Sequence, residues 1–172
     1  DPPPKAGFPV SDAAPGTIGA LAIVVALRER DRTGVGCFLD VSMWASALQL
    51  MYSFACETLT CGQEIPRVGN KGFSGSPGAD TFACRDGWLA IGANTPAHIA
   101  RLMQVLRVEL AEVEPLLESA SESEPAFARA RDPHAFRELL AARLVEHSAA
   151  DLEQRLNAAG VPAARVRTLR EF

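Results

Sequence analysis

Residues 7–36 read GFPVSDAAPGTIGALAIVVALRERDRTGVG, and the fold turns on how this stretch is read. Residues 17–27 carry no charge and are apolar all round, which predicts a helix buried on most sides. Arg28, Glu29, Arg30, Asp31 and Arg32 follow, then Thr33 and Gly34. Cations in a last turn with a glycine just beyond are how a helix ends. One carboxylate, Asp12, stands just upstream, with Ala-Ala-Pro-Gly between it and the predicted helix. Two readings of it compete. As a cap, Ser11 or Asp12 accepts a backbone N–H of the first turn and does nothing more. As a functional group, a partly exposed carboxylate at the positive end of a helix is a nucleophile or proton carrier. Spacing alone leaves both open.

The 172 residues are 48% hydrophobic, enough to bury a real core in one domain or two small ones. A net charge of −4 argues against a nucleic-acid surface, which carries a basic excess. No signal-peptide pattern or apolar run of membrane-spanning length is read, so no membrane partner is expected. Cys37, Cys56, Cys61 and Cys84 lack metal spacing, and His98, His134 and His147 do not cluster with them. The expectation is no metal, and reduced thiols in a cytoplasmic protein.

Along the chain, residues 1–9 form an extended, proline-rich lead-in that is not helical at Pro2 to Pro4. After the apolar helix, residues 35–41 are β-prone and predict a strand or an extended arm. Ser42 opens a second apolar helix, 43–56, with Trp44, Leu48, Leu50, Met51, Tyr52 and Phe54 on several faces. That distribution suits a core or an interface with a second subunit. Residues 62–67 break it and form a linker.

Next comes GNKGFSGSPG at 69–78, with glycine at every third position. Glycines permit unusual backbone angles and close approach to a ligand, so a mobile lid and an ordinary turn-rich connector are both open. A small second unit begins at Asp80. Residues 81–84 and 88–93 flank Arg85-Asp86-Gly87, a hairpin signal. Thr95-Pro96 starts a helix with Ile99, Leu102, Met103 and Leu106 on one face. Asp132-Pro133 starts another, carrying Phe136, Leu139, Leu140 and Leu144. Ser148-Ala-Ala-Asp151 reads as a capping box for a last helix that stops at Gly160. Residues 119–125 make a solvated acidic loop, and 161–166 a possible third strand. The three histidines have no partner pattern that marks a catalyst.

Gly-Phe-Pro-Val-Ser-Asp at 7–12, the glycine-containing apolar helix, Leu-Arg-Glu-Arg-Asp-Arg-Thr-Gly-Val-Gly at 27–36 and Leu-Asp-Val-Ser-Met at 39–43 resemble the family III CoA-transferases. That family is related to the alpha-methylacyl-CoA racemases. The glycine loop 69–78, Asp-Gly-Trp-Leu-Ala-Ile-Gly-Ala-Asn at 86–94 and Leu-Asn-Ala-Ala-Gly-Val-Pro-Ala at 156–163 agree in the same order.

The resemblance implies an α+β chain. Residues 1–62 would be the C-terminal remnant of a Rossmann-like, CoA-binding large domain. Residues 63–79 would be a linker and glycine-rich loop, and 80–172 a small α+β domain. Family members are much longer and form interlocked dimers, so this chain, which opens without an initiator methionine, is expected to be a fragment of a homodimeric enzyme. Asp12 falls on the family's catalytic aspartate. Gly72, Phe73, Gly75, Gly78, Asn94 and Thr95 are the implied substrate-binding residues, and the glycine segment is the implied cover of the active site. Its glycines are spaced rather than consecutive as in formyl-CoA transferase.

The implied activity is transfer of CoA from an acyl-CoA donor to a carboxylic acid through a covalent aspartyl intermediate, with coenzyme A as part of the substrate. A racemase-like isomerase is the near alternative. Racemases carry a glutamate in a Gly-Ala-x-Glu-Pro context, and Thr95 occupies that place in Gly92-Ala93-Asn94-Thr95-Pro96. Threonine is no acid or base at neutral pH. A truncated, non-catalytic interaction module is the alternative from another class.

Overall fold

The computed structural model describes residues 6–72, 74–118 and 127–172. The expectations for Pro2 to Pro4, Phe73 and the acidic loop at 119–125 lie outside the described residues. The chain divides into two units, Asp1–Pro66 and Arg67–Phe172.

The first unit is helical. Its helix α1, Val10–Thr33, starts earlier than the sequence suggests and takes in both Asp12 and Pro15. Pro15 is the sixth residue of the helix, past the amides that lack intrahelical partners, so it costs α1 one hydrogen bond, to the Ser11 carbonyl. The helix ends at Gly34, whose φ of 73° and N–H to the Arg30 carbonyl make a left-handed cap. No residue of α1 is buried, which overturns the expectation of a buried helix. Leu21, Val24 and Val25 are each 60% or more exposed. An all-round apolar composition signals that a helix needs covering, but it does not supply the cover. Within this unit α1 meets α2, Met43–Leu50.

The expectation of no membrane-length apolar helix also needs correction. By length and composition α1 passes as a membrane span, because the apolar stretch continues through the first turn past the single charge of Asp12. An apolar helix destined for a protein interior has the same makeup, so the match does not place α1 in a bilayer.

Residues 35–41 form an extended arm with no strand pairing. Ser42 caps α2 by accepting the Ala45 N–H at 3.3 Å. The single helix predicted for 43–56 is two. Met51, at φ −106° and ψ 20°, ends α2 and precedes α3, Tyr52–Cys61, which stops at a left-handed Gly62. Among the described residues of both helices only Ser46 is buried.

The second unit holds the core. Strand β1, Gly78–Cys84, and strand β2, Gly87–Ala93, pair antiparallel through the two-residue turn Arg85-Asp86. Strand β3, Ala163–Arg165, adds antiparallel to β2, so the order is β1-β2-β3. Helix α4, Pro96–Leu106, is capped by Thr95, whose hydroxyl accepts the His98 N–H at 3.2 Å. Ile99, Leu102, Met103 and Leu106 are its buried residues, on the face the periodicity predicts. A short helix α5, Leu110–Val113, continues into a 3₁₀ turn, Glu114–Leu116. Helix α6, Pro133–Leu144, is capped by Asp132 and buries Phe136, Leu140 and Leu144. Helix α7, Ala149–Ala158, buries Leu152 and Leu156. Phe82, Leu89 and Ile91 complete the core from the sheet.

The capping box expected at Ser148 does not form. Ser148 stands at the cap position but makes no side-chain cap bond; its hydroxyl donates to Asp86 Oδ2 at 2.7 Å. Asp86 Oδ1 accepts the Ala149 N–H at 2.8 Å in its place. A carboxylate brought by the hairpin turn is a stronger acceptor than a hydroxyl, so the tertiary cap displaces the local one.

Candidate functional site

Asp12 lies in the first turn of α1, the third residue of the helix. The N-cap is Pro9, and no side chain caps this end. The first-turn amides are used otherwise: the Asp12 and Ala13 N–H groups both reach the Pro9 carbonyl, at 3.1 and 3.0 Å. The cap reading of Ser11 or Asp12 is therefore not what the structure builds. The Asp12 carboxylate is exposed and, among the described residues, makes no hydrogen bond or ion pair. It stands at the positive end of a 24-residue helix, where the backbone favours a negative charge.

The remaining described candidates belong to the second unit and cluster where β1 begins and β2 ends. The Gly72 N–H donates to the Ala79 carbonyl at 2.7 Å, and a Cβ on Gly72 would lie 2.8 Å from that of Ala79. Gly75 has φ 68°, and a Cβ there would lie 3.0 Å from Arg129 Nη1. Gly78 is tighter still: a Cβ would come within 2.5 Å of Ile99 Cδ1 and 2.8 Å of Ala93 Cβ. Packing thus gives Gly72 and Gly78 a structural reason of their own, while Gly75 answers to a backbone angle that favours glycine.

Asn94 joins the loop to the sheet. Its Oδ1 accepts the Ser74 hydroxyl at 2.6 Å and its Nδ2 donates to the Gly92 carbonyl. Ser74 Oγ in turn accepts the Ser76 N–H, and the Ser76 hydroxyl donates to the Ala93 carbonyl at 2.7 Å. Both serines are buried. Residues 74–78 are therefore pinned to the end of β2, and among the described residues of the loop 67–71 and Gly75 are exposed, with Gly69 at φ 66°. Thr95 spends its hydroxyl on the α4 cap.

Three features escaped the sequence reading. Ser74 and Ser76 fasten the loop; their alternation ahead of a strand was the available sign. Asp80, 8% exposed, accepts Arg137 Nε at 2.8 Å and the Thr81 N–H at 2.7 Å, and Arg137 also lies over the Phe82 ring. Nothing local pairs residues that far apart. Arg129 reaches the Ser74 carbonyl with Nη1 at 3.4 Å. Its place depends on a backbone return: the Ala128 N–H donates to the Asn94 carbonyl at 2.7 Å, and the Glu118 N–H to the Arg129 carbonyl.

Elsewhere in this unit the ionic groups are structural. Glu153 is held below the usual carboxylate value, first by its hydrogen bond from Arg167 and then by the Arg165 N–H. Burial pushes the Cys84 thiol up, and the Asp86 charge adds to it. Among the described residues no group of three or more His, Cys, Asp or Glu side chains is placed to hold a metal ion.

The model of CoA-transferase family III matches residues 1–172. The chain belongs to that family. Over 99% of its length, this family III chain is 32% identical to succinyl-CoA–D-citramalate CoA-transferase of Chloroflexus aurantiacus, of which it covers 41%. It is 31% identical over 61% of its length to succinyl-CoA:mesaconate CoA-transferase of Haloarcula hispanica, covering 26% of that protein. The chain thus spans about two fifths or less of the curated relatives it matches. Solved structures share the fold: Rv3272 from M. tuberculosis at a TM-score of 0.73 and 24% identity, over 98% of this chain and 42% of that one. A CAIB/BAIF family protein from Brucella suis gives 0.70 at 24% identity, over 98% and 43%.

Proposed function

We propose that this family III chain carries the nucleophile of an enzyme that moves CoA from an acyl-CoA to a carboxylic acid, and that Asp12 is that nucleophile. The observation that supports this is the state of Asp12: exposed, unpartnered and in the first turn of a long helix whose cap it does not form. Asp40 in the same unit is equally exposed and without a partner, so it is the place of Asp12 at the positive end of α1 that sets it apart.

In this reading Asp12 adds to the thioester carbonyl of the donor, the C–S bond breaks and CoA leaves as thiolate. The mixed anhydride so formed is attacked by that thiolate at the aspartyl carbonyl. This releases the donor acid and leaves an aspartyl-CoA thioester. The acceptor carboxylate attacks the same carbonyl and breaks its C–S bond, giving a second mixed anhydride and free CoA thiolate. The thiolate then attacks the acceptor acyl carbon, and the bond from that carbon to the aspartyl oxygen breaks to regenerate the Asp12 carboxylate. One difficult exchange becomes a series of easier acyl transfers. Both intermediates are open to hydrolysis, so productive transfer requires that water be kept from them.

The relatives named above act on succinyl-CoA, and one acts on D-citramalate and one on mesaconate, by their names. We extend that chemistry to this chain as a dicarboxylic acyl donor and acceptor. The racemase alternative finds no support at Thr95, whose hydroxyl caps α4.

Asp12→Asn in the native enzyme tests the mechanism. Transfer is expected to fall by several orders of magnitude with the fold retained. Hydroxylamine added after the donor is expected to convert Asp12 to a hydroxamate, seen as a mass shift on its peptide. Undiminished transfer by the Asn variant, with no adduct on that peptide, removes Asp12 from the chemistry.

A further inference from the structure

At the end of β2 every polar group of Asn94 is engaged. Its N–H donates to the Gly92 carbonyl at 2.9 Å, and its carbonyl accepts the Ala128 N–H at 2.7 Å. Its Oδ1 accepts the Ser74 hydroxyl at 2.6 Å, and its Nδ2 donates to the Gly92 carbonyl at 3.2 Å. One residue thus ties its own strand to two segments that lie far from it in the chain.

The first segment is the turn at Ser74 and Ser76. The Ser74 hydroxyl, already a donor to Asn94, also accepts the Ser76 N–H at 3.2 Å, and the Ser76 hydroxyl donates to the Ala93 carbonyl. Two glycine amides ride on this turn. Gly75 donates to the Gly72 carbonyl at 3.1 Å and Gly72 to the Ala79 carbonyl at 2.7 Å. The second segment begins at Ala128. Arg129 Nη1 reaches the Ser74 carbonyl at 3.4 Å, so the two segments touch each other as well as Asn94. Further on, the Arg131 N–H donates to the Leu116 carbonyl at 2.8 Å, a fastening that does not involve Asn94.

What this arrangement buries is chiefly polar: Ser74 and Ser76, at 6% and 4% exposed, and one alanine methyl, that of Ala128. Opening it exchanges hydrogen bonds to protein for hydrogen bonds to water and exposes little apolar surface. Opening the sheet would instead expose Phe82 and Leu89, which are fully buried. Segments that bury few apolar contacts occupy the low-energy end of a fold's local openings.

We propose that Asn94 is the keeper of a clasp: the 74–76 turn and Ala128 are shut onto the end of β2 together, and they open together while the sheet stays folded. The clasp lies wholly within the second unit and does not depend on the role of Asp12.

Amide hydrogen exchange of the full chain, read residue by residue by mass spectrometry with fragmentation, tests this in the unaltered protein, in Ser74→Ala, in Asn94→Ala and in the double variant. The Gly72, Gly75 and Ala128 amides all bond to backbone carbonyls, which these substitutions leave in place. In Ser74→Ala the amides of Gly72, Gly75, Ser76 and Ala128 are expected to exchange about five- to a hundredfold faster, by a common factor. Those of Arg131, Phe82 and Leu89 are expected to keep their rates. The double variant is expected to match Asn94→Ala, because groups that act as one unit do not add. Acceleration confined to Ser76, which loses its own acceptor, would reduce the clasp to a single local bond and overturn the proposal. A faster turn with an unchanged Ala128 would overturn it too, since the two segments would then open separately. Factors that multiply in the double variant would have the same consequence. Protection lost at Phe82 and Leu89 in either single variant would make Asn94 part of the global fold, and no separate clasp would exist.

Discussion

Asp86 occupies the turn between β1 and β2 and caps a helix 63 residues further along, through the Ala149 N–H and the Ser148 hydroxyl. The Ala149 bond first, and the Ser148 bond second, hold its carboxyl below the ordinary value of 3.8. A folded value below the unfolded one means that Asp86 stabilises the fold above about pH 3.8, and that the contribution is lost as pH falls through the folded value. Asp86→Ala is expected to lower the melting temperature of the second unit by a few degrees at neutral pH. The gap to wild type should close on acidification below that point. A gap that stays constant with pH would show that the carboxylate charge is not what caps α7. Cys84, on the same hairpin, is buried and its thiol is raised, so it should resist thiol reagents at neutral pH until the unit unfolds. Labelling of Cys84 in the folded protein, read by peptide mass, would contradict this. Asp12 differs from both in having nothing to hold.

Among the elements, the glycine loop and the strand it feeds are the most constrained. Gly78→Ala would drive a methyl into Ile99 and Ala93, neither of which has room to retreat in a packed core. A loss of about 1–3 kcal/mol is expected, read from the urea midpoint of the second unit. A midpoint within error of wild type would mean that the sheet gives way more easily than its packing implies. The elements also separate what local sequence can and cannot say. Thr95-Pro96 and Asp132-Pro133 start α4 and α6 as written, because cap and first-turn proline act within one turn of chain. Ser148-x-x-Asp151 failed because a better acceptor arrived from a distant turn. The break at Met51 was not legible either, since no glycine or proline marks it.

At the scale of the whole molecule the two units are unequal. The core residues from Phe82 to Val161 all lie in the second unit, and the first buries one side chain, Ser46, among the residues of its helices. A fragment of residues 67–172 is therefore expected to fold alone, with a cooperative melt by circular dichroism. Residues 1–66 alone, with Leu21, Val24, Trp44 and Tyr52 exposed, are expected to self-associate. Light scattering that finds a stable monomer of 1–66 at micromolar concentration would count against that.

The sequence by itself determined the family, the α+β class, the hairpin at Arg85-Asp86, three of the helix starts and the place of Asp12 near the start of the first helix. Each of these is carried by short-range chemistry: periodicity, caps and turn residues that act over a few residues. Tertiary structure alone decided that α1 is uncovered in this chain, that Asp86 displaces Ser148 as a cap, and that Ser74, Asn94 and Arg129 meet. Those outcomes depend on which distant backbone groups arrive together, and a hydrogen bond between residues 74 and 94 or between 129 and 74 leaves no periodic trace in the chain.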